Sequence, residues 1–197
     1  RLNKFVSASN NFIALDTWLT CARPDNYTWP QGKRPVFAID RSPDWGYATV
    51  AVAVKDDQGI IHTEIVASIV QPTMPQLIDI ATRLTSYSPS TFVLDGYAMR
   101  DLANELKKRG LPVSIFTQGD VINASSFFYS RTVQKLIMHA NDPLMSMQLT
   151  RTVRKNIGDS YRISRKDSSS EIDSVMATVC AIYAAETRQE TVMVSVF

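Results

Sequence analysis

The sequence predicts an α/β domain built on a five-stranded mixed sheet, three antiparallel strands followed by two parallel ones, with helices on both faces. Three observations lead there. Three β-rich runs come first, separated only by turns. Apolar runs then alternate with segments of helical periodicity. Finally, 197 residues with 45% hydrophobic and 20% charged content suit one core, and the sequence shows no internal repeat or second domain.

Residues 11 to 22 (NFIALDTWLTCA) carry Phe12, Ile13, Leu15, Trp18 and Leu19 at helical spacing, and Asp25 to Lys33 form a turn-rich linker. Residues 1–34 are read as a linker segment carrying that helix, and residues 35–197 as the domain proper. Val36 to Ile39 is a continuous apolar run suited to a strand buried on both faces. Tyr47 to Val54 and Ile60 to Val70 complete a meander around the turn Asp56-Asp-Gln-Gly59. Met74 to Tyr87 is helical, Thr91 to Gly96 a short buried strand, and Ala98 to Arg109 a helix closed by Gly110. Leu111 to Phe116 is the fifth strand; 121–140 and 143–152 read as helices, and 153–165 as a hairpin. Ser168-Ser-Ser170 supplies N-cap candidates for a last helix reaching about Thr187.

Several function classes drop out. No apolar run is long enough to span a membrane, and no signal peptide is evident. The chain opens on Arg1, as a fragment or processed product would. Cys21 and Cys180 are too scattered for a disulfide framework or zinc site, which predicts small buried residues in a reducing compartment. His62 and His139 are too few for a histidine-based metal site. Net charge is only +2, but Arg151, Arg154, Lys155, Arg162, Arg165 and Lys166 cluster against Asp159 alone. That segment is either a solvated basic face or a polyanion contact.

In the ribonuclease H-like version of this element order, the first and fourth strands lie parallel side by side. Both end in aspartate, Asp40 and Asp95, so the two carboxylates would share the edge where such sheets bind ligands. Paired carboxylates repel, and a divalent cation removes the conflict; an oxygen-only donor set selects Mg²⁺ or Mn²⁺. In the last helix, Ile172, Val175, Met176, Val179 and Ile182 make the buried stripe, with Asp173 at its margin in the first turn. Asp173 is therefore a third ligand for a two-ion site, with Glu171 a weaker candidate. Singly, each aspartate is explained by a turn, a cap or a helix dipole. Jointly, in this order, they point to a metal site.

The chain resembles the nuclease domain of the large terminase subunit of tailed bacteriophages nearly end to end. "RLNKFVSASNNFIALDTWLTCA" is similar to the segment joining the packaging ATPase to the nuclease, and "FAIDRS" and "FVLDGY" to the two acidic strands. "HANDPLMSMQLTRTVRKN" resembles a His-x-x-Asn-x-Pro-Leu segment, and "EIDSVMATVCAIYAA" the closing helix. The resemblance implies that residues 35–197 are a nuclease domain whose Asp40, Asp95 and Asp173 bind two Mg²⁺ or Mn²⁺ ions. The activity implied is metal-assisted cleavage of concatemeric double-stranded DNA during genome packaging. One ion would activate a water and the other stabilise the leaving 3′ oxygen. Implied partners are DNA, an ATPase motor upstream, the small terminase subunit and the portal or prohead. The implied location is the cytoplasm of the infected host, not the mature virion. No Gly-x-x-x-x-Gly-Lys-Ser/Thr occurs, so P-loop hydrolysis of ATP is not expected of this chain.

DNA backbone contacts are expected from Arg41, Lys135, Arg151, Arg154, Lys155, Arg162, Arg165 and Lys166, with His139 either among them or a core residue. Three positions depart from the family pattern. Arg41 replaces a hydrophobic residue, Gly46 stands where a second aspartate is common, with Asp44 a shifted substitute, and Glu171 replaces a lysine. Two alternatives share the fold: a Holliday-junction resolvase or recombinase, and a docking or DNA-binding module that does not cut. Met145 and Met147 are read as core residues or as part of a partner surface.

Overall fold

The computed structural model describes residues 11–187. The Leu2-Asn3 start of the family-like segment lies outside them. Helix α1 (Leu15–Leu19) precedes strands β1 (Val36–Arg41), β2 (Tyr47–Lys55) and β3 (Ile61–Val70). Then come α2 (Met74–Leu84), β4 (Thr91–Asp95), α3 (Arg100–Lys108), β5 (Val113–Phe116) and α4 (Gln118–Val133). The chain continues through β6 (Ile137–His139), α5 (Pro143–Arg151), β7 (Val153–Ile157), β8 (Ser160–Ser164) and α6 (Asp173–Thr187). Among the described residues no helix is long and apolar enough to cross a membrane.

The main sheet has the order β5-β4-β1-β2-β3-β6, and β7–β8 form a separate hairpin. β1 runs antiparallel to β2 and parallel to β4, with Ile39 opposite Val50 on one side and Leu94 on the other. The sheet therefore has six strands, not five. Residues 121–140 were expected as one helix, but α4 ends at Val133, Lys135 turns the chain with φ 57°, and Ile137–His139 pair with the start of β3. A three-residue strand is too short to show a period of two, and the apolar residues after the turn continue the helical pattern by chance.

Alternation along the strands splits the core between the two faces. Phe37, Ile39, Val50, Val52, Phe92 and Leu94 pack under α2 and α3. Val36, Ala38, Ala51, Ala53 and Val93 face α4, α5 and α6. The alanines on that face let α6 lie close to the sheet, and α6 is accordingly buried almost all round, as its continuous apolar sequence requires. Phe12, Ile13 and Trp18, from the segment assigned to the linker, belong to the same core.

Two helix starts use capping boxes, Thr73 with Gln76 and Thr117 with Asp120, which satisfy otherwise orphaned N–H groups. The serines at 168–170 were expected to cap α6. Ser168 instead closes the hairpin base, accepting from Val153 N–H and donating to Ser164 O at 2.6 Å, and α6 begins at Asp173.

Candidate functional site

The carboxyl edge of β1 and β4 carries the candidate site. Asp40 shares the α6 face with Ala38, lies directly opposite Thr49 in the β1–β2 register, and is only 3% exposed. Asp95 is the last residue of β4, the parallel neighbour, and is half-buried. Its Oδ1 accepts the Tyr97 N–H at 2.9 Å, so the turn reading and the edge position hold together. Asp173 opens α6 at 1% exposure. Its Oδ2 accepts the Thr49 hydroxyl at 2.6 Å and its Oδ1 the Gln148 amide at 2.8 Å. Gln148, on α5, also accepts from Ser174 N–H at 2.8 Å and Ser174 Oγ at 2.7 Å, locking α5 to the start of α6.

Asp40 is electrostatically unlike the others. Burial pushes its carboxyl up to about 6; Arg165 opposes that shift, and Asp173 and Asp95 add to it. Oδ1 accepts from Arg165 Nη2, while Oδ2 is buried with no partner among the described residues. For Arg165, burial works against the charge, and Asp40 and Asp95 more than offset it. Glu171 sits on the same acidic rim: burial, Asp44 and Asp173 raise its pKa, against a lowering by Arg165. Asp44 closes its own loop, accepting from Ser42 Oγ at 2.5 Å and Gly46 N–H at 3.0 Å, and these bonds hold its carboxyl low.

Among the described residues no three His, Cys, Asp or Glu side chains are grouped closely enough to grip an ion as they stand. Three side chains orient the carboxylates: Arg165 bonds Asp40, and Thr49 and Gln148 bond Asp173. The donor chemistry nonetheless fits a hard divalent cation, because it is all oxygen and Asp40 Oδ2 is a buried acceptor awaiting a positive partner.

A cleft of about 570 Å³ opens beside the carboxylates, lined by Arg41, Asp95, Tyr97, Arg162, Arg165 and Lys166. A second cavity, about 600 Å³, lies at the opposite edge among Lys33, Lys55 and Asp56, and none of the three aspartates lines it. Of the expected DNA contacts, Arg162, Arg165 and Lys166 reach the cleft. Arg41 lines it too, but its guanidinium lies 3.9 Å over the Trp45 ring and donates to Ala98 O at 3.0 Å. Arg151, Arg154 and Lys155 are exposed on α5 and β7, with Arg154 over Tyr161 at 5.6 Å. Met145 is buried and Met147 exposed.

Two of the nine lie elsewhere. Lys135 precedes β6, which starts level with Ile61 at the amino edge of the sheet. His139 is 3% exposed, stacks on Trp18 with centroids 3.7 Å apart, and bonds through Nε2 to Trp18 O at 2.9 Å; burial lowers its pKa. It is a core histidine, out of reach of a phosphate. Thr49 and Gln148 are the site residues that sequence reasoning missed. Nothing local marks them, since Thr49 is an ordinary strand residue and Gln148 an ordinary helix residue.

No protein-family model matches the sequence, and no curated protein does. Solved structures do. The HK97 bacteriophage large terminase matches with a TM-score of 0.70 at 15% identity, over 88% of this chain and 43% of that one. The large terminase nuclease from thermophilic phage G20c matches with 0.67 at 13% identity, over 89% and 98%. Forms of that nuclease with bound magnesium, cobalt and zinc also match. The chain thus spans less than half of the HK97 protein and has the extent of the G20c nuclease. At these identities the likeness shows the fold, the ribonuclease H-like fold of phage large terminase nucleases.

Proposed function

We propose that this chain is a divalent-metal-dependent endonuclease, the nuclease part of a phage large terminase that cuts concatemeric double-stranded DNA during packaging. The observation that carries the reading is Asp40 Oδ2, a buried acceptor without a partner among the described residues, flanked by Asp95 and Asp173 where ligands bind such sheets. Bound there, a Mg²⁺ or Mn²⁺ ion supplies Lewis-acid activation of a water and of the phosphodiester. The protein's residues do the rest. Asp40, Asp95 and Asp173 hold the charge, and Thr49 and Gln148 fix the Asp173 carboxylate so that it needs no reorganisation. Arg162, Arg165 and Lys166 position a backbone phosphate in the cleft without reading sequence. The resemblance implies two ions, an ATPase motor upstream, contact with the small subunit and portal, and action in the host cytoplasm.

A second reading, a DNA-binding module that does not cut, is favoured by the Arg165–Asp40 pair, which occupies one ligand oxygen. Relaxation of supercoiled plasmid in Mn²⁺, Mg²⁺ or EDTA separates the two. Metal-dependent nicking, absent in Asp40→Asn and Asp173→Asn, is the expected result. A folded wild type that binds DNA and never cuts it, in any of the three conditions, sinks the nuclease reading for the isolated chain.

A further inference from the structure

Building on the metal-nuclease reading, we propose that the Arg165 guanidinium takes the place of a second cation at Asp40, so that the site works with one divalent ion and one arginine. A carboxylate that bridges two ions about 3.5–4 Å apart in the two-oxygen mode offers one oxygen to each. In Asp40 the two oxygens differ. Oδ1 is engaged by Arg165 Nη2, and Oδ2 alone is without a partner among the described residues. One oxygen is thus free for an ion and the other is already charge-paired.

Arg165 is held in that position by its backbone. Ser164 Oγ donates to Asp167 Oδ2 at 2.6 Å, and Ser168 N–H and Oγ both donate to Ser164 O, at 3.1 Å and 2.6 Å. On the other side, Ile163 N–H donates to Ser125 Oγ of α4 at 3.3 Å. These bonds fix the backbone from which the Arg165 side chain reaches Asp40. Titration does not release the side chain, because a guanidinium keeps its proton throughout the accessible pH range. Displacement by a second ion would strand a largely buried charge, its side chain 22% exposed against 5% for Asp40. Arg165 also lines the cleft to which the proposed function assigns a backbone phosphate, and a guanidinium has N–H donors beyond the one used on Asp40. It can therefore supply there what a second cation supplies: positive charge and orientation, in a fixed fork rather than an exchangeable shell.

Counting bound Mn²⁺ by calorimetry and electron paramagnetic resonance, on the whole chain without DNA, tests this independently of cleavage. Wild type is expected to bind one ion and Arg165→Lys one. Arg165→Ala and Arg165→Gln are expected to bind two, a doubling of stoichiometry that a purely structural role would not produce. Melting followed by circular dichroism confirms folding, and the glutamine, which keeps a hydrogen-bond donor, serves where the alanine does not fold. Two ions in wild type overturn the proposal on their own, and so does a single ion in a folded Arg165→Ala or Arg165→Gln. No Mn²⁺ in any variant overturns the metal-nuclease reading beneath it, and the proposal with it.

Discussion

At the amino edge of the sheet, Asp56 accepts from Gln58 and Ile60 N–H at 2.9 Å each through Oδ1 and from His62 Nε2 at 2.8 Å through Oδ2. His62 Nδ1 in turn meets the Tyr27 hydroxyl at 2.8 Å. At the carboxyl edge, Asp40 has Arg165 on one oxygen and no partner on the other among the described residues. Burial acts upward on both acids. At Asp56 the hydrogen bonds from His62, Ile60 and Gln58 outweigh it and the carboxyl is held low, whereas Asp40 rises to about 6. A closed polar network rigidifies a turn, and an open one keeps a place for something else. A Tyr–His–Asp chain looks more like chemistry on paper than three scattered aspartates do, yet every bond in it is already made.

Substitution at the two edges should separate them most sharply. Asp40→Asn, Asp95→Asn and Asp173→Asn are each expected to lower metal-dependent plasmid cleavage by at least about a hundredfold, the upper end of what even outer ligand supports contribute. Asp56→Ala should leave the cleavage rate per folded molecule within about twofold, while lowering unfolding free energy by about 1–3 kcal/mol for the stranded partners. A large cleavage defect in a folded Asp56→Ala would break the contrast between the edges.

Gln148→Ala comes next, with an expected loss of about 10–100-fold in Mn²⁺ affinity, read by calorimetry. Its amide bridges Asp173 Oδ1 and Ser174, so its removal frees the ligand rather than deleting it. The same residue shows where the sequence stops being readable. Asp40 and Asp95 stand out because a carboxylate straight after a buried apolar run is a local anomaly. Helical phase put Asp173 at the margin of a stripe, whereas α6 is buried almost all round and Asp173 with it. Gln148 and Thr49 carry no anomaly. Their roles come from contacts spanning 25 and 124 positions, which only the assembled α5–α6 and β2–α6 packing creates. His139, read as either a phosphate contact or a core residue, is decided by Trp18, 121 positions away, which claims it for the core. The five-strand reading missed β6 because three residues pairing in parallel leave no periodic trace.

The pH responses of the edges should have opposite signs. Asp40 titrates near 6 in the fold, above its ordinary 3.8, so the metal-free folded state holds the proton more tightly than the unfolded one. Its share of stability is therefore lost as pH rises from about 4 to about 6, on the order of 2–3 kcal/mol for a shift of this size. Asp56 is shifted down, so its share is present above 3.8 and lost as pH falls through the lower folded value. Melting wild type in EDTA between pH 4 and 7, beside Asp40→Asn, should show the first loss only in wild type. With Mn²⁺ the slope should invert, since the ion competes with the proton and its affinity should fall by about tenfold per pH unit below 6. A wild-type curve identical to that of Asp40→Asn would mean that Asp40 does not titrate in this window.

The smallest effects belong to the cations, and they sharpen the comparison by locating the DNA. Arg162 and Lys166 line the cleft at the carboxyl edge, while Lys135 sits with β6 at the other. A phosphate contact releases counterions, so removing one should lower the slope of log affinity against log salt by about 1 and weaken binding evenly across sequences. Arg162→Ala and Lys166→Ala should each do so for duplex DNA measured by anisotropy, in EDTA to prevent cutting. Lys135→Ala should leave the slope unchanged. A slope change at Lys135 equal to that at Lys166 would put the duplex across both edges of the sheet, and the amino edge would then have to be counted as part of the DNA-binding face.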